Sequence, residues 1–166
     1  MDFSFNADEI FQIAVKIEDN GRIFYEKARE SVDDRDVKEL FSYLALQESE
    51  HKKTFLAMRS ELPDSFKETT TWDPDNEADQ YLKMLADMNV FNNKGGLEEK
   101  LKEIADPPQA LRLAIQFEKD SILFYLLMQD FTMAARGRDR INGLIGEEKA
   151  HLRELARRLR KYSDCG

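Results

Sequence analysis

A single cysteine, Cys165, excludes an internal disulfide framework and fits a reducing compartment, so a cytoplasmic protein is expected. Only four prolines and seven glycines interrupt the chain. The long Leu-, Ala-, Glu-, Lys- and Arg-rich stretches between them point to helix. No apolar run reaches the roughly eighteen residues that a membrane span needs, so no membrane partner is expected. The opening stretch, Met1 to Glu9, is acidic and holds no signal-peptide core. Positive charge is in the minority: 25 Lys and Arg stand against 33 Asp and Glu, a formal net charge of −8, which argues against nucleic acid as a partner. A length of 166 residues suits one domain, 1–166, with a substantial core.

Histidine is nearly as scarce, and its two copies stand in the same motif. Glu48-Ser49-Glu50-His51 returns 100 residues later as Glu148-Lys149-Ala150-His151. The same offset sets Ala14-Val15-Lys16-Ile17-Glu18 against Ala114-Ile115-Gln116-Phe117-Glu118, and Ile23-Phe24-Tyr25 against Leu123-Phe124-Tyr125. Two related units therefore make up the chain, each with Glu, then Tyr, then Glu-x-x-His in the same spacing. On a helix, positions i and i+3 share a face. One carboxylate and one imidazole on that face form half of a transition-metal site, and two copies suggest two half-sites.

Helical periodicity predicts an all-α chain of two antiparallel hairpins, about 7–61 and 107–162, joined by a crossover at about 63–106. Asn6 is a good cap for the first helix, with Glu9 completing a capping-box pattern. Its stripe runs Phe11, Ala14, Glu18, Gly21, Tyr25, Ala28 and should end near Glu30 to Val32. Asp33 or Asp34 caps the second helix, with Leu40, Leu44, Glu48, His51, Phe55 and Met58 on one face, and Leu62-Pro63 stops it. Glu18 and Glu48 each lie about fifteen residues from the intervening turn, roughly 22 Å along each helix, and so arrive at one height. In the crossover, a helix is plausible from about Pro74 to Met88, and a shorter one from Leu97 to Ala105. Asp106-Pro107 starts the third helix. It carries Leu111, Ala114, Glu118, Ser121, Tyr125 and Met128; the fourth carries Ile141, Leu144, Glu148, His151, Leu155 and Leu159. Gly137 invites a break between them, but the repeat places the turn near Asp130 to Met133, with Thr132 a candidate cap.

Glu18, Glu48, Glu118 and Glu148 each interrupt an apolar stripe, where an unpaired buried carboxylate costs several kcal/mol. Two divalent cations would balance the four charges. Helix-bundle di-iron and di-manganese sites use one Glu from each of two helices and Glu-x-x-His from each of the other two. This chain supplies that set, so Glu18, Glu48, His51, Glu118, Glu148 and His151 are the candidate ligands. These donors do not choose the metal: iron, manganese or zinc would accept the same set. Tyr25 and Tyr125 are either ordinary core residues or phenols that donate to a ligand carboxylate or stand near the metals as redox-capable groups. Glu147 is within reach of His151 at i+4, although Gln47 at the equivalent place favours Glu148 as the ligand. Phe24, Phe41, Phe55, Phe117 and Phe124 are the aromatics expected to keep the site dry.

On these residues the chain resembles the ferritin-like di-iron carboxylate superfamily, and most of all its single-domain rubrerythrin-like group. The resemblance implies a ferritin-like four-helix bundle. It assigns Glu18, Glu48 and His51 to one metal and Glu118, Glu148 and His151 to the other, with Glu48 and Glu148 bridging. Members reduce hydrogen peroxide or dioxygen, or oxidise ferrous iron for storage, so an oxidoreductase is expected; the alternatives are a ferroxidase or a metal-binding bundle without turnover. A homodimer is expected as well. Four departures stand out. The two Cys-x-x-Cys pairs of a rubredoxin-like site are missing, so electrons should come from an external donor such as a rubredoxin-type protein. The third helix has Ile115, Ser121 and Ile122 where rubrerythrins tend to add a carboxylate. Ser49 replaces the methionine of haem-binding bacterioferritins, and only fifteen residues follow His151, which disfavours a storage cage with a fifth helix.

Overall fold

A computed structural model describes residues 7–64, 96–130 and 135–164. Among them are five helices: α1 (Ala7–Ser31), α2 (Arg35–Ser60), α3 (Gly96–Lys102), α4 (Pro107–Asp130) and α5 (Ala135–Asp164). No strand occurs among the described residues. The all-α expectation holds, and the two hairpins are α1–α2 and α4–α5. They close into a bundle through α1 against α4 and α2 against α5, while α3 lies against α1.

The helix limits have local causes. Asp34 caps α2: its backbone is extended and its carboxylate accepts from Val37 N–H at 3.0 Å. At the far end, the N–H groups of Glu61 and Leu62 satisfy the carbonyls of Ala57 and Arg59 before Pro63. Asp106 caps α4 by accepting from Gln109 N–H at 2.9 Å, and Gln109 accepts from Ala105 N–H in return. Arg59 ties the end of α2 to the start of α1 through both oxygens of Asp8, at 2.6 and 3.0 Å. Gly137 does not break the second hairpin: α5 already begins at Ala135, and a glycine in the first turn interrupts little. Helix α4 ends at Asp130 and α5 begins at Ala135, and the residues between them, where the repeat placed the turn, lie outside the described ones. The Asn6 and Thr132 caps and the helix expected at 74–88 lie outside the described residues.

The four stripes turn inward as expected. Phe24, Phe41, Phe55 and Phe117 are fully buried, Phe124 almost so, and they form one core with Ile17, Leu44, Leu111, Ile141 and Leu155. At the centre of that core, where water is excluded, the repeat has placed charge instead of hydrocarbon.

Candidate metal centre

Each long helix brings a glutamate to the same height: Glu18 from α1, Glu48 from α2, Glu118 from α4 and Glu148 from α5. All four are at most 1 % exposed, and His51 and His151 at most 4 %. Two donor sets emerge. Glu18, Glu48, His51 and Glu148 bring one ligand atom each within 4.8 Å of one another, and so do Glu48, Glu118, Glu148 and His151. Glu48 and Glu148 belong to both. The six candidate ligands therefore meet in one place, arranged as two overlapping halves.

The hydrogen bonding within this cluster is incomplete. Glu148 faces both imidazoles, at 2.9 Å from His51 Nδ1 and 3.0 Å from His151 Nδ1. Glu18 Oε2 lies 3.5 Å from His51 Nδ1. Glu18 Oε2, both oxygens of Glu48 and Glu118 Oε2 are buried and accept no hydrogen bond. Four orphaned carboxylate oxygens around one space are costly in a core, and they match what hard or borderline divalent cations coordinate. The residues present fit a dinuclear centre.

The ionisation follows from the same geometry. Burial raises Glu48 and Glu118, and the neighbouring carboxylates, Glu18 for Glu48 and Glu148 for Glu118, add to it. Burial also raises Glu18, with His51 pulling against it. Glu148 is buried too, but its bonds to His151 and His51 overcome the desolvation and hold it below the usual carboxylate range. Burial pulls the His51 imidazole down, yet Glu148 and Glu18 outweigh it and lift it to about 12.

The tyrosines cross between the repeats. Tyr25 of α1 donates its O–H to Glu118 Oε1 of α4 at 2.5 Å, and Tyr125 of α4 donates to Glu18 Oε1 of α1. Burial and those carboxylates raise both phenols well above 10, so they stay protonated and donate.

Two contacts go beyond what the sequence suggests. Glu147, within reach of His151 by helical spacing, turns to His51 instead, with Oε2 2.7 Å from Nε2. Helices α2 and α5 run side by side in opposite directions with Glu48 level with Glu148, so the residue before one glutamate meets the histidine of the other helix. Applying the height argument to this second pair of helices would have found it. Tyr43, half-exposed, covers His151 edge-to-face with ring centres 6.2 Å apart; the repeat has Gly143 at its counterpart and holds no hint of it. The two imidazoles stack at 5.6 Å between these covers.

Comparison with known proteins agrees with this picture. The sequence matches the Rubrerythrin family over residues 9–159. No curated protein matches it. Among solved structures, a protein from Thermotoga maritima described as ferritin-like diiron-carboxylate superposes with a TM-score of 0.73 over 98 % of this chain and 99 % of that one. At 23 % identity the likeness shows the fold, which is ferritin-like.

Proposed function

The chain belongs to the rubrerythrin family, and we propose that it is a di-iron carboxylate protein that reduces hydrogen peroxide or dioxygen at the buried cluster. The observation that carries this reading is the pair of overlapping donor sets sharing Glu48 and Glu148, with four buried carboxylate oxygens left unbonded. Glu18 and His51 would complete one iron position and Glu118 and His151 the other. When bound, the iron pair supplies two electrons, and with two protons these convert one peroxide into two waters. Oxygen and nitrogen donors of this kind also accept manganese or zinc.

The chain's own residues supply the rest. Tyr25 and Tyr125 orient Glu118 and Glu18 through one oxygen each and leave the other oxygen, Oε2 in both cases, without a hydrogen bond. Phe24, Phe41, Phe55 and Phe117 exclude water, so charge at the centre is weakly screened. The 166 residues hold no cysteine pair that could carry a rubredoxin-type iron site. Electrons are therefore drawn from outside them, from a reduced rubredoxin-type protein.

Stopped-flow spectroscopy of iron-loaded protein tests the reading. Peroxide should oxidise the loaded protein once and rapidly, and a reduced rubredoxin-type donor should turn this into repeated peroxide consumption. Steady consumption of added ferrous iron, with ferric mineral accumulating, would replace the reading with iron handling. No reaction with peroxide, dioxygen or ferrous iron would reduce it to a metal-binding bundle.

A further inference from the structure

The two halves of the centre are related by the repeat but are not equal. His51 is held from both sides. Its Nδ1 faces the interior, 2.9 Å from Glu148 Oε1, and its Nε2 lies 2.7 Å from Glu147 Oε2. The His51 side chain is 2 % exposed and that of Glu147 is 56 % exposed, so Glu147 reaches inward from solvent to grip a buried ring. A carboxylate at Nε2 keeps a ring proton on that nitrogen, so Nδ1 is the nitrogen that would release its proton and bind a metal.

His151 presents its Nδ1 in the same way, 3.0 Å from Glu148 Oε2. Among the described residues no carboxylate stands within ion-pair distance of its other nitrogen. Its outer side meets the Tyr43 ring. The antiparallel register that brings Glu147 to His51 puts Gln47, the repeat counterpart of Glu147, level with His151, and Gln47 is a neutral amide and not a carboxylate.

We propose that Glu147 is a positioning residue that makes the two metal positions unequal, so that the position served by His51 fills first and more tightly than the position served by His151. This rests on the dinuclear reading above. The cause is general: a carboxylate behind a ligating imidazole fixes its tautomer and orientation and raises its donor strength. Removing such a partner costs about 10–100-fold in metal affinity. A single uncompensated partner should separate the two binding steps by about that factor.

The test is an anaerobic titration of the full metal-free chain with cobalt(II), followed by visible absorption and by calorimetry. The native sequence should bind two ions in steps about 10–100-fold apart. Glu147→Gln should weaken the first step by about that factor and leave the second in place. Gln47→Glu should strengthen the second step and bring the two together. Two equal steps in the native protein, or a first step untouched by Glu147→Gln, would overturn the inference while leaving the dinuclear centre standing. Equal weakening of both steps by Glu147→Gln would mark a merely structural role and would also overturn it. Binding of one ion or none would remove the dinuclear reading, and this inference with it.

Discussion

Gly21 sits on the inner stripe of α1 because two neighbours occupy the space a side chain would need. A Cβ there would lie 2.7 Å from Glu48 Oε2 and 2.7 Å from Phe117 Cε1, inside a fully buried ring and beside a candidate ligand. The repeat explains the asymmetry: Phe117 stands where the first unit has Ile17, and Gly21 where the second has Ser121. Overpacking of this kind costs about 1–3 kcal/mol, against a gain of about 1 kcal/mol from replacing a helical glycine by alanine. Gly21→Ala is therefore expected to lower the melting temperature and to weaken metal binding by displacing Glu48. A Cβ at Gly143 or Gly146 would meet nothing within 4 Å. Gly143→Ala should accordingly stabilise by up to about 1 kcal/mol. Thermal melts of the two variants should move in opposite directions; movement in the same direction would contradict the packing argument. The phenols give a second prediction. Tyr25→Phe leaves the buried Glu118 Oε1 without its donor, at a cost of about 1–3 kcal/mol, and Tyr125→Phe does the same to Glu18. Urea melts of each variant measure it, and a loss below a few tenths would mean the bonds are dispensable.

Asp34 does two tasks at the level of elements. It caps α2 through Val37 N–H and accepts the O–H of Tyr162 near the end of α5. Arg158 of α5 adds an ion pair to Asp36 at 3.2 Å, so the last turns of the chain are latched to the first turn of α2. Asp34→Ala should cost about 0.5–2 kcal/mol through the cap alone. Tyr162→Phe spares the cap and removes the hydrogen-bonded part of the latch, so its backbone amides near 155–164 should exchange hydrogen faster while those of α1 hold. Uniform protection in that variant would show that the latch contributes nothing. Most of this architecture is legible in the chain. Asp34 and Asp106 are capping residues followed by periodic apolar stripes, and the helix limits at Asp130 and Ala135 agree with the repeat in spite of Gly137. All six candidate ligands are legible because each is a polar residue at a position that helical spacing forces inward. Glu147 is different: its role depends on how α2 lies against α5, and spacing along one helix points it to the wrong histidine. The crossing of the tyrosines is hidden for the same reason, since spacing places Tyr25 on the face of Glu18 but does not say that the phenol reaches Glu118.

For the molecule as a whole, the cluster couples folding to both protons and metal. Without metal, burial favours the protonated forms of Glu48, Glu118 and Glu18. Stability gained from a raised carboxylate is fully present below its unfolded value of 4.5 and is lost as pH rises through its folded value. His51 acts in the same direction: its contribution is complete below 6.5 and disappears as pH climbs to about 12. Within the cluster, Glu148 alone is held low and loses stability as pH falls below 4.5. The metal-free protein is thus expected to melt at lower temperature as pH rises from about 6 to about 9. The metal-loaded protein should hold its melting temperature, because the cations favour the ionised carboxylates, and the gap between the two should widen. Melts with and without chelator measure it; a metal-free melting temperature that rises across this range would contradict the burial of these groups. The crossed phenols carry one more consequence, for inheritance. Each repeat keeps its tyrosine but lends it to the other repeat's glutamate, so neither hairpin is a self-sufficient module. A half-length chain of this pattern would meet all its obligations only by embracing a second copy, and the present chain behaves as such an embrace made permanent by a linker. A change in one half is thereby answerable to the other: Tyr25 and Glu118 can drift only as a couple, across 93 residues of sequence.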